Sequence, residues 1–305
     1  MTSPKAAALF GALVADAAAL GLHWIYDVDR VAQVAETYGG PAFVPLDPAH
    51  HEDVPAYFAH GARGDGMNSQ YGEVLALTME VIRDQGGFDV AAYQQAYAGF
   101  FGAGGGYAGY IDRPTRGTLA NLAAEVLEPS GIDDDQLPAV ANLPAVLASA
   151  PDDRALRRAA MEVTNVNDVA AGYGDVFAHV LRAVWEGAPL PQALEDAAKA
   201  APQALRDPLI QALETDEADS VTYGAITERA CHLPQAMPLA FHILKHARDF
   251  RDGVERNILA GGDSCGRAII VGSLLGAAGG VESIPLVWSL KLSDGAALWQ
   301  LCRAI

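Results

Sequence analysis

Residues 261–276 read GGDSCGRAIIVGSLLG, and this stretch decides how the chain is understood. Gly261 and Gly262 can take the positive φ that other residues resist, so one helix can end there. Asp263 then stands at an N-cap position, ahead of a helix running from Ser264 to Gly276. Ordinary helix punctuation explains that much, but it leaves Cys265 and Arg267 in the first turn without a reason. A thiol there feels the positive end of the helix dipole, and a nearby guanidinium favours thiolate further. The Asp263 carboxylate opposes both, so sequence alone gives the shift no sign. Gly266, Ala268, Gly272 and Gly276 on the same helix predict close backbone packing, as for a central helix.

Helical periodicity extends outward from this stretch over most of the chain. Residues 5–22 are rich in Ala and Leu, the strongest helix formers. Residues 72–84 place Val74, Leu75, Thr78, Val81 and Ile82 on one face and stop before Gly86-Gly87. Further helices are expected over 90–101, 118–127, 152–163, 169–185, 190–200, 225–231, 236–250 and 253–260. Strand candidates are few and short, so the fold class is all-α, a single compact helical domain over residues 1–305. Two long connections stand out. Residues 40–70 carry four prolines with His50, His51 and His60, and residues 102–117 are glycine-rich; loops this long in compact domains are functional or disordered. The run Asp133-Asp134-Asp135 reads as a solvated loop.

Composition sets the classes of partner. At 305 residues with 51% hydrophobic residues, the chain can build a sizeable core. A formal charge of −18 argues against nucleic acid and against an anionic membrane surface, since both need a basic face. A small-molecule substrate fits the charge, and the oligomeric state is not legible. The cysteines, Cys231, Cys265 and Cys302, show neither a disulfide framework nor metal-ligand spacing. Lys5 followed by Ala6–Ala15 mimics a short secretory signal, but Asp16 interrupts the apolar run. No apolar run reaches the ~20 residues of a membrane span, and the expectation is a cytoplasmic protein with reduced thiols.

Several motifs match a pattern without its context. Residues 104–109 satisfy G-x-G-x-x-G, yet a helix rather than a strand feeds them, so no dinucleotide cradle is expected. Residues 262–266 satisfy G-x-S-x-G, but helix again precedes them and all eight histidines lie before residue 247. His242 and His246 share a helix face without the glutamate of a zinc protease motif, which suits an ordinary amphipathic helix.

Two further constellations carry chemistry. Residues 68–73, Asn-Ser-Gln-Tyr-Gly-Glu, open the helix at 72–84. Asn68 or Ser69 can cap it and Glu73 complements its dipole, so two helix N-termini bearing carboxylates can face one pocket. Asp16, a lone acid amid Ala and Leu and followed by Gly21-Leu22-His23-Trp24-Ile25-Tyr26-Asp27, is too costly to bury without a partner or a role.

In this order, these pieces resemble the ADP-ribosylglycohydrolase family. Leu9–Gly21 with Asp16 resembles that family's opening helix. Gly261-Gly262-Asp263 resembles its Gly-Gly-Asp-Thr-Asp-Thr signature, and Ile284-Pro285 with Trp288 its closing Ile-Pro-x-x-Trp pattern. Thr164-Asn165 echoes its Thr-His segment. The resemblance implies one all-α domain and a two-metal magnesium or manganese site. The sequence departs from the metal motifs, however. Asn68-Ser69-Gln70-Tyr71 stands where the family has Thr-Asp-Asp-Thr, and Cys265 where it has its second signature Asp. Hard dications take several oxygen ligands, mostly carboxylates, so no metal ligand is assigned and no cofactor is expected from the residues themselves. His23–Asp27, Tyr71-Gly72-Glu73 and Gly262–Arg267 resemble a divergent branch that includes the J-crystallins and selenoprotein J.

The resulting expectation is a hydrolase or transferase acting on a small glycosyl, ribosyl or amide-like substrate. Asp263 and Glu73 are the acid/base candidates, and Cys265 is a nucleophile candidate activated by the helix N-terminus and Arg267. Asp16, His23, Tyr26, Asn68, Ser69, Tyr71, Ser264 and Arg267 are the substrate-binding candidates. The alternatives are a non-catalytic, crystallin-like binding or structural protein on the same scaffold, and a residual magnesium-dependent ADP-ribosyl hydrolase.

Overall fold

The computed structural model describes residues 3–305, and among them every regular element is helical. The first five helices are α1 (Pro4–Ala19), α2 (Val28–Tyr38), α3 (Gln70–Gln85), α4 (Val90–Phe101) and α5 (Arg113–Ala123). The middle of the chain forms α6 (Pro138–Ala141), α7 (Leu143–Ser149), α8 (Arg154–Glu162), α9 (Asp168–Trp185), α10 (Leu190–Ala200) and α11 (Gln203–Glu214). The last six are α12 (Ser220–Ile226), α13 (Leu233–His246), α14 (Phe250–Leu259), α15 (Ser264–Gly279), α16 (Leu286–Lys291) and α17 (Gly295–Ala304). Strand-like pairing is limited to isolated bridges, of which Ile25 with Ala56 matters for the site. One continuous apolar core runs from Ala6 to Cys302.

Two helices form the axis of this core. Every α1 residue from Ala6 to Ala19 is buried, and so is every α15 residue from Ser264 to Ala277. They pack backbone to backbone through small residues. A Cβ added at Gly272 would lie 2.5 Å from the Gly11 carbonyl oxygen and 2.6 Å from the Ala15 Cβ. One added at Gly276 would strike the Ala7 carbonyl. Because Ala7 meets Gly276 and Gly11 meets Gly272, the helices run antiparallel. The C-terminal half of α1 therefore reaches the N-terminus of α15, and Asp16 arrives beside Cys265.

The segment Pro4–Leu22 is long and apolar enough to cross a membrane by length and composition, but 94% of it is buried inside the protein. The sequence reading stopped short of a full span because Asp16 breaks the run; the structure places that acid within a core helix.

Most expected helices lie where periodicity puts them, and the exceptions have physical causes. Helix α5 starts five residues earlier than expected, because Pro114 sits in its first turn, where the missing N–H costs nothing. The expected helix at 225–231 is mostly turn, with Glu228 and Arg229 at positive φ, while α12 ends at Ile226. Helices α6 and α7 were missed because Pro138–Ala148 is buried on all sides and shows no amphipathic period. The acidic run is not wholly solvated: Asp134 is buried, paired with Arg113 at 2.6 Å and bonded by Asn165.

The α1–α15 contact makes a direct prediction. Gly272→Ala forces a methyl against backbone atoms, and overpacking of this kind costs about 1–3 kcal/mol. The urea midpoint should fall with the slope unchanged; an unaltered midpoint contradicts the close contact.

Candidate functional site

The N-termini of α3 and α15 meet the C-terminal half of α1, and three carboxylates gather there. Asp16 is fully buried, and α3 supplies its partners. Ser69 donates to it from its backbone N–H (2.8 Å) and its hydroxyl (2.5 Å), and Asn68 Nδ2 donates at 2.9 Å. Gly72 allows this approach, since a Cβ there would collide with the Asp16 carboxylate. Burial nonetheless raises the Asp16 carboxyl above its ordinary 3.8, with the hydrogen bonds from Ser69 and Asn68 pulling the other way.

Asp263 caps α15 by accepting from the Gly266 N–H at 2.9 Å. The same oxygen meets His23 Nε2 at 3.0 Å, and the other accepts from the Tyr71 hydroxyl at 2.7 Å. Burial acts to raise this carboxyl, but the hydrogen bonds from His23, Tyr71 and Gly266 outweigh it and leave it below 3.8. Asp263 is thus the ionised acid of the site. Tyr71, buried against it, is pushed well above the ordinary phenol value by burial and by Asp263, so its proton stays in place.

The hydrogen bonds continue past His23. Its Nδ1 lies 2.6 Å from His60 Nε2, and the two rings stack. His60 is buried, and its Nδ1 has no hydrogen-bond partner in the protein. Trp24 stacks on His60, and Tyr57 and Tyr110 pack on Trp24. Trp24 is held at φ 61°, an uncommon conformation for a bulky residue, by backbone bonds on both sides. Its N–H donates to Gly262 O at 2.9 Å, and its carbonyl accepts from the Tyr57 N–H at 3.0 Å.

Glu73 ion-pairs with Arg63 and is 22% exposed, the most open of the three acids. Burial raises its carboxyl above 4.5 while the Arg63 guanidinium pulls it down. Arg63 also stacks on Tyr107 at 5.0 Å and donates to Ala108 O at 3.3 Å. The two long connections therefore fold against each other here, one supplying His60 and Arg63 and the other Tyr107 and Tyr110. The G-x-G-x-x-G stretch at 104–109 follows helix α4, which ends at Phe101, and its Tyr107 packs on Phe100 and Phe101.

The structure reassigns several expected roles. Cys265 is fully buried, with its Sγ 3.6 Å from the Asp16 carbonyl oxygen. Burial, Asp16 and Asp263 push its thiol well above 9.0, the opposite of what a nucleophile needs. Arg267 does not activate it. Its guanidinium turns to Asn257 Oδ1 (3.0 Å), Asn257 O (3.2 Å) and Gly261 O (2.5 Å), bracing the Gly-Gly turn. Asp263 is sealed from solvent, with one oxygen held by His23 and the Gly266 N–H and the other by Tyr71. Asn68, Ser69 and Ser264 are likewise buried. Tyr26, 37% exposed, reaches the surface close enough to Asp263 to feel its charge. Half-buried Cys231, which the sequence reading passed over, also faces Asp263, and burial with that carboxylate raises its thiol to about 12. His242 is an ordinary buried histidine, stacked on Tyr223 and bonded to Glu217 O at 2.8 Å.

A pair of magnesium or manganese ions does not fit this donor set. Hard dications need roughly six oxygen ligands, yet Asp16 and Asp263 already accept from protein donors and Glu73 is paired with Arg63. Cys265 contributes a protonated thiol in place of an oxygen. Among the described residues no three His, Cys, Asp or Glu side chains converge as metal ligands. A groove of about 1140 Å³ between α8, α9 and α10 lies apart from this chemistry; Asp175 in its lining pairs with Arg154 and Arg157.

The thiols test this geometry. In the folded protein Cys265 should resist iodoacetamide far longer than free cysteine and react only after unfolding, as read by mass spectrometry of its peptide. Alkylation at the free-cysteine rate contradicts the buried, protonated thiol.

Comparison with known proteins agrees with this architecture. The family model of ADP-ribosylglycohydrolase matches residues 5–305. Crystallin J1A of Tripedalia cystophora is 26% identical over 98% of this chain and 95% of its own length. Crystallin J1B of the same animal is 31% identical over 33% of this chain and 29% of its own. A solved structure described as an ADP-ribosylglycohydrolase-related protein complex superposes with a TM-score of 0.74, at 19% identity over 99% of this chain and 96% of that one. With its central α1–α15 pair, its Gly-Gly-Asp cap and a match from end to end, the chain belongs to the ADP-ribosylglycohydrolase family.

Proposed function

We propose that this chain is a metal-independent hydrolase or transferase acting on a small glycosyl, ribosyl or amide-like substrate. The observation that carries the reading is the hydrogen-bonded array centred on ionised Asp263, with Tyr71 on one oxygen and His23 on the other. Burying a carboxylate, two imidazoles and a phenol together is costly, and clusters of strongly perturbed groups concentrate at working sites. Family membership supports the substrate class. Glu73, partly open to solvent and raised by burial, exchanges a proton with the leaving group. Tyr71 is bonded to Asp263, Tyr26 lies between that acid and the surface, and Asp16 with Asn68 and Ser69 fixes the N-terminus of α3.

A second reading, a binding or structural protein on the same scaffold, is favoured by one observation: the full-length similarity to Crystallin J1A. Failure of the purified protein to turn over para-nitrophenyl ribosides, other para-nitrophenyl glycosides or ADP-ribosylated arginine supports that reading and counts against the first.

On the first reading, riboside hydrolysis persists in excess EDTA, since no step uses a dication. Cys265→Ser keeps nearly the wild-type rate, whereas Glu73→Gln lowers kcat by roughly 10²–10⁴-fold, the usual contribution of a general acid. The pH profile should fall on the acid side as Asp263 gains a proton and on the alkaline side as Glu73 loses one. Glu73→Gln should remove the alkaline fall. Loss of activity in EDTA, restored by magnesium, contradicts the metal-independent mechanism.

A further inference from the structure

Among the buried polar atoms without a hydrogen-bond partner, His60 Nδ1 stands at the end of the hydrogen-bonded line that begins at Asp263. Asp263 is ionised and can only accept, so His23 Nε2 carries a proton toward it at 3.0 Å. The 2.6 Å contact between His23 Nδ1 and His60 Nε2 then holds one proton between two ring nitrogens. When the pair is neutral, that proton belongs to His60 Nε2 and His23 Nδ1 accepts it. This assignment follows from the network, and it leaves His60 Nδ1 with a free lone pair. That nitrogen is buried and unpaired, behind the ring of Trp24.

We propose that His60 Nδ1 is the proton acceptor of the site, the open end of a His60–His23–Asp263 relay that deprotonates a water molecule or an acceptor hydroxyl. The inference rests on the hydrolase or transferase reading given above. The step is balanced. The O–H proton moves to His60 Nδ1 as the oxygen bonds to the anomeric or acyl carbon; the bond from that carbon to the leaving group breaks, its electron pair leaves with that group, and Glu73 gives it a proton. The proton on His60 Nε2 passes to His23 Nδ1, and the positive charge comes to rest on His23 against the Asp263 carboxylate. In the reverse direction the relay returns the proton.

This arrangement lets a nitrogen in a hostile setting act as a base. Burial and the nearby His23, Arg63 and His51 lower His60 well below 6.5, and only Asp263 raises it. His60 therefore does not keep a charge. It does not need to, because the charge appears one ring further on, beside the acid that stabilises it. The logic is that of a Ser-His-Asp triad with an extra imidazole inserted between the base and the acid. In this scheme His60 is the catalytic residue, and His23 and Asp263 position and stabilise.

The relay is testable without a substrate. In protein labelled with ¹⁵N-histidine and held at mildly alkaline pH, His60 should be protonated at Nε2 only. A scalar coupling should link His60 Nε2 to His23 Nδ1 across the shared proton. A proton on His60 Nδ1 under those conditions, or no coupling, overturns the relay. With para-nitrophenyl riboside as the probe, His60→Ala should lower kcat by about 10²–10⁴-fold with little change in KM, and imidazole in the buffer should restore part of it. An undiminished kcat in His60→Ala overturns the catalytic role even if the coupling is present. If the wild-type protein turns over no probe, the hydrolase reading fails, while the nitrogen spectrum separately supports or overturns the relay.

Discussion

The backbone contact between α1 and α15 is the constraint on which the rest depends. Two fully buried helices can approach this closely only where side chains are nearly absent, and Gly11, Gly272 and Gly276 with Ala7 and Ala15 supply that surface. The contact fixes an antiparallel register as well as a distance. Register in turn sets which α1 residue faces the first turn of α15, and that residue is Asp16. A helix displaced by four residues would bring Ala12 or Leu20 there instead. The small-residue stripe is therefore a positioning device for a carboxylate.

With Asp16 in place, the second helix N-terminus follows. A buried carboxylate must be hydrogen-bonded or neutral, and Asn68 with Ser69 meets that need by starting α3 at this point. Ser69 does two jobs at once, since its hydroxyl also accepts from the Tyr71 N–H at 3.1 Å. Tyr71, the second residue of α3, then reaches across to Asp263. The two buried acids end in opposite states for reasons that can be named. Asp16 is raised because burial outweighs neutral donors. Asp263 is lowered because a histidine, a phenol and a helix N-terminus all donate to it. Acids whose environments push them apart are a recurring way of dividing roles within one site.

Much of this was legible in the chain, and the limits were physical. Asp16 amid alanines breaks a local rule, while the Gly-Gly-Asp cap and the 68–73 segment each place an acid at a helix N-terminus, so sequence could single all three out and set the two N-termini facing one pocket. Local rules could not sign the thiol of Cys265. Its helix-dipole advantage was visible, but the decisive burial comes from α1, some 250 residues distant in the chain. Arg267 misled for the same reason: proximity in sequence suggested Cys265, while its guanidinium follows Asn257 and Gly261. His60 and Arg63 carried no motif at all. The only signal was the length of the connection that holds them, together with its three histidines. Helices α6 and α7 were invisible because complete burial erases periodicity, and α5 was placed too late because its first turn, with Pro114, falls inside the stretch read as a glycine-rich connection.

What distinguishes this site is how its carboxylates are neutralised. In the metal-binding pattern that the chain resembles, dications would supply positive potential at the meeting of the two helix N-termini. Here that potential comes from protein donors: Asn68, Ser69 and its backbone N–H on Asp16, then Tyr71, His23 and the Gly266 N–H on Asp263. Each departure from the metal pattern points the same way. Asn68, Ser69 and Tyr71 now donate where oxygen ligands would be required, and Cys265 replaces a charged ligand with a neutral thiol. Such an exchange is self-consistent only if made as a set. Removing dications while keeping their acids would leave several buried negative charges unpaired, and removing the acids alone would leave the helix N-termini without anions. A donor network differs from a metal in one further respect. A metal fixes charge at a point, whereas hydrogen-bonded hydroxyls and imidazoles can move protons. Of the departures from the metal pattern, the Tyr71 hydroxyl lies on Asp263 itself, and the proposed relay runs on the other side of that acid through His23 and His60.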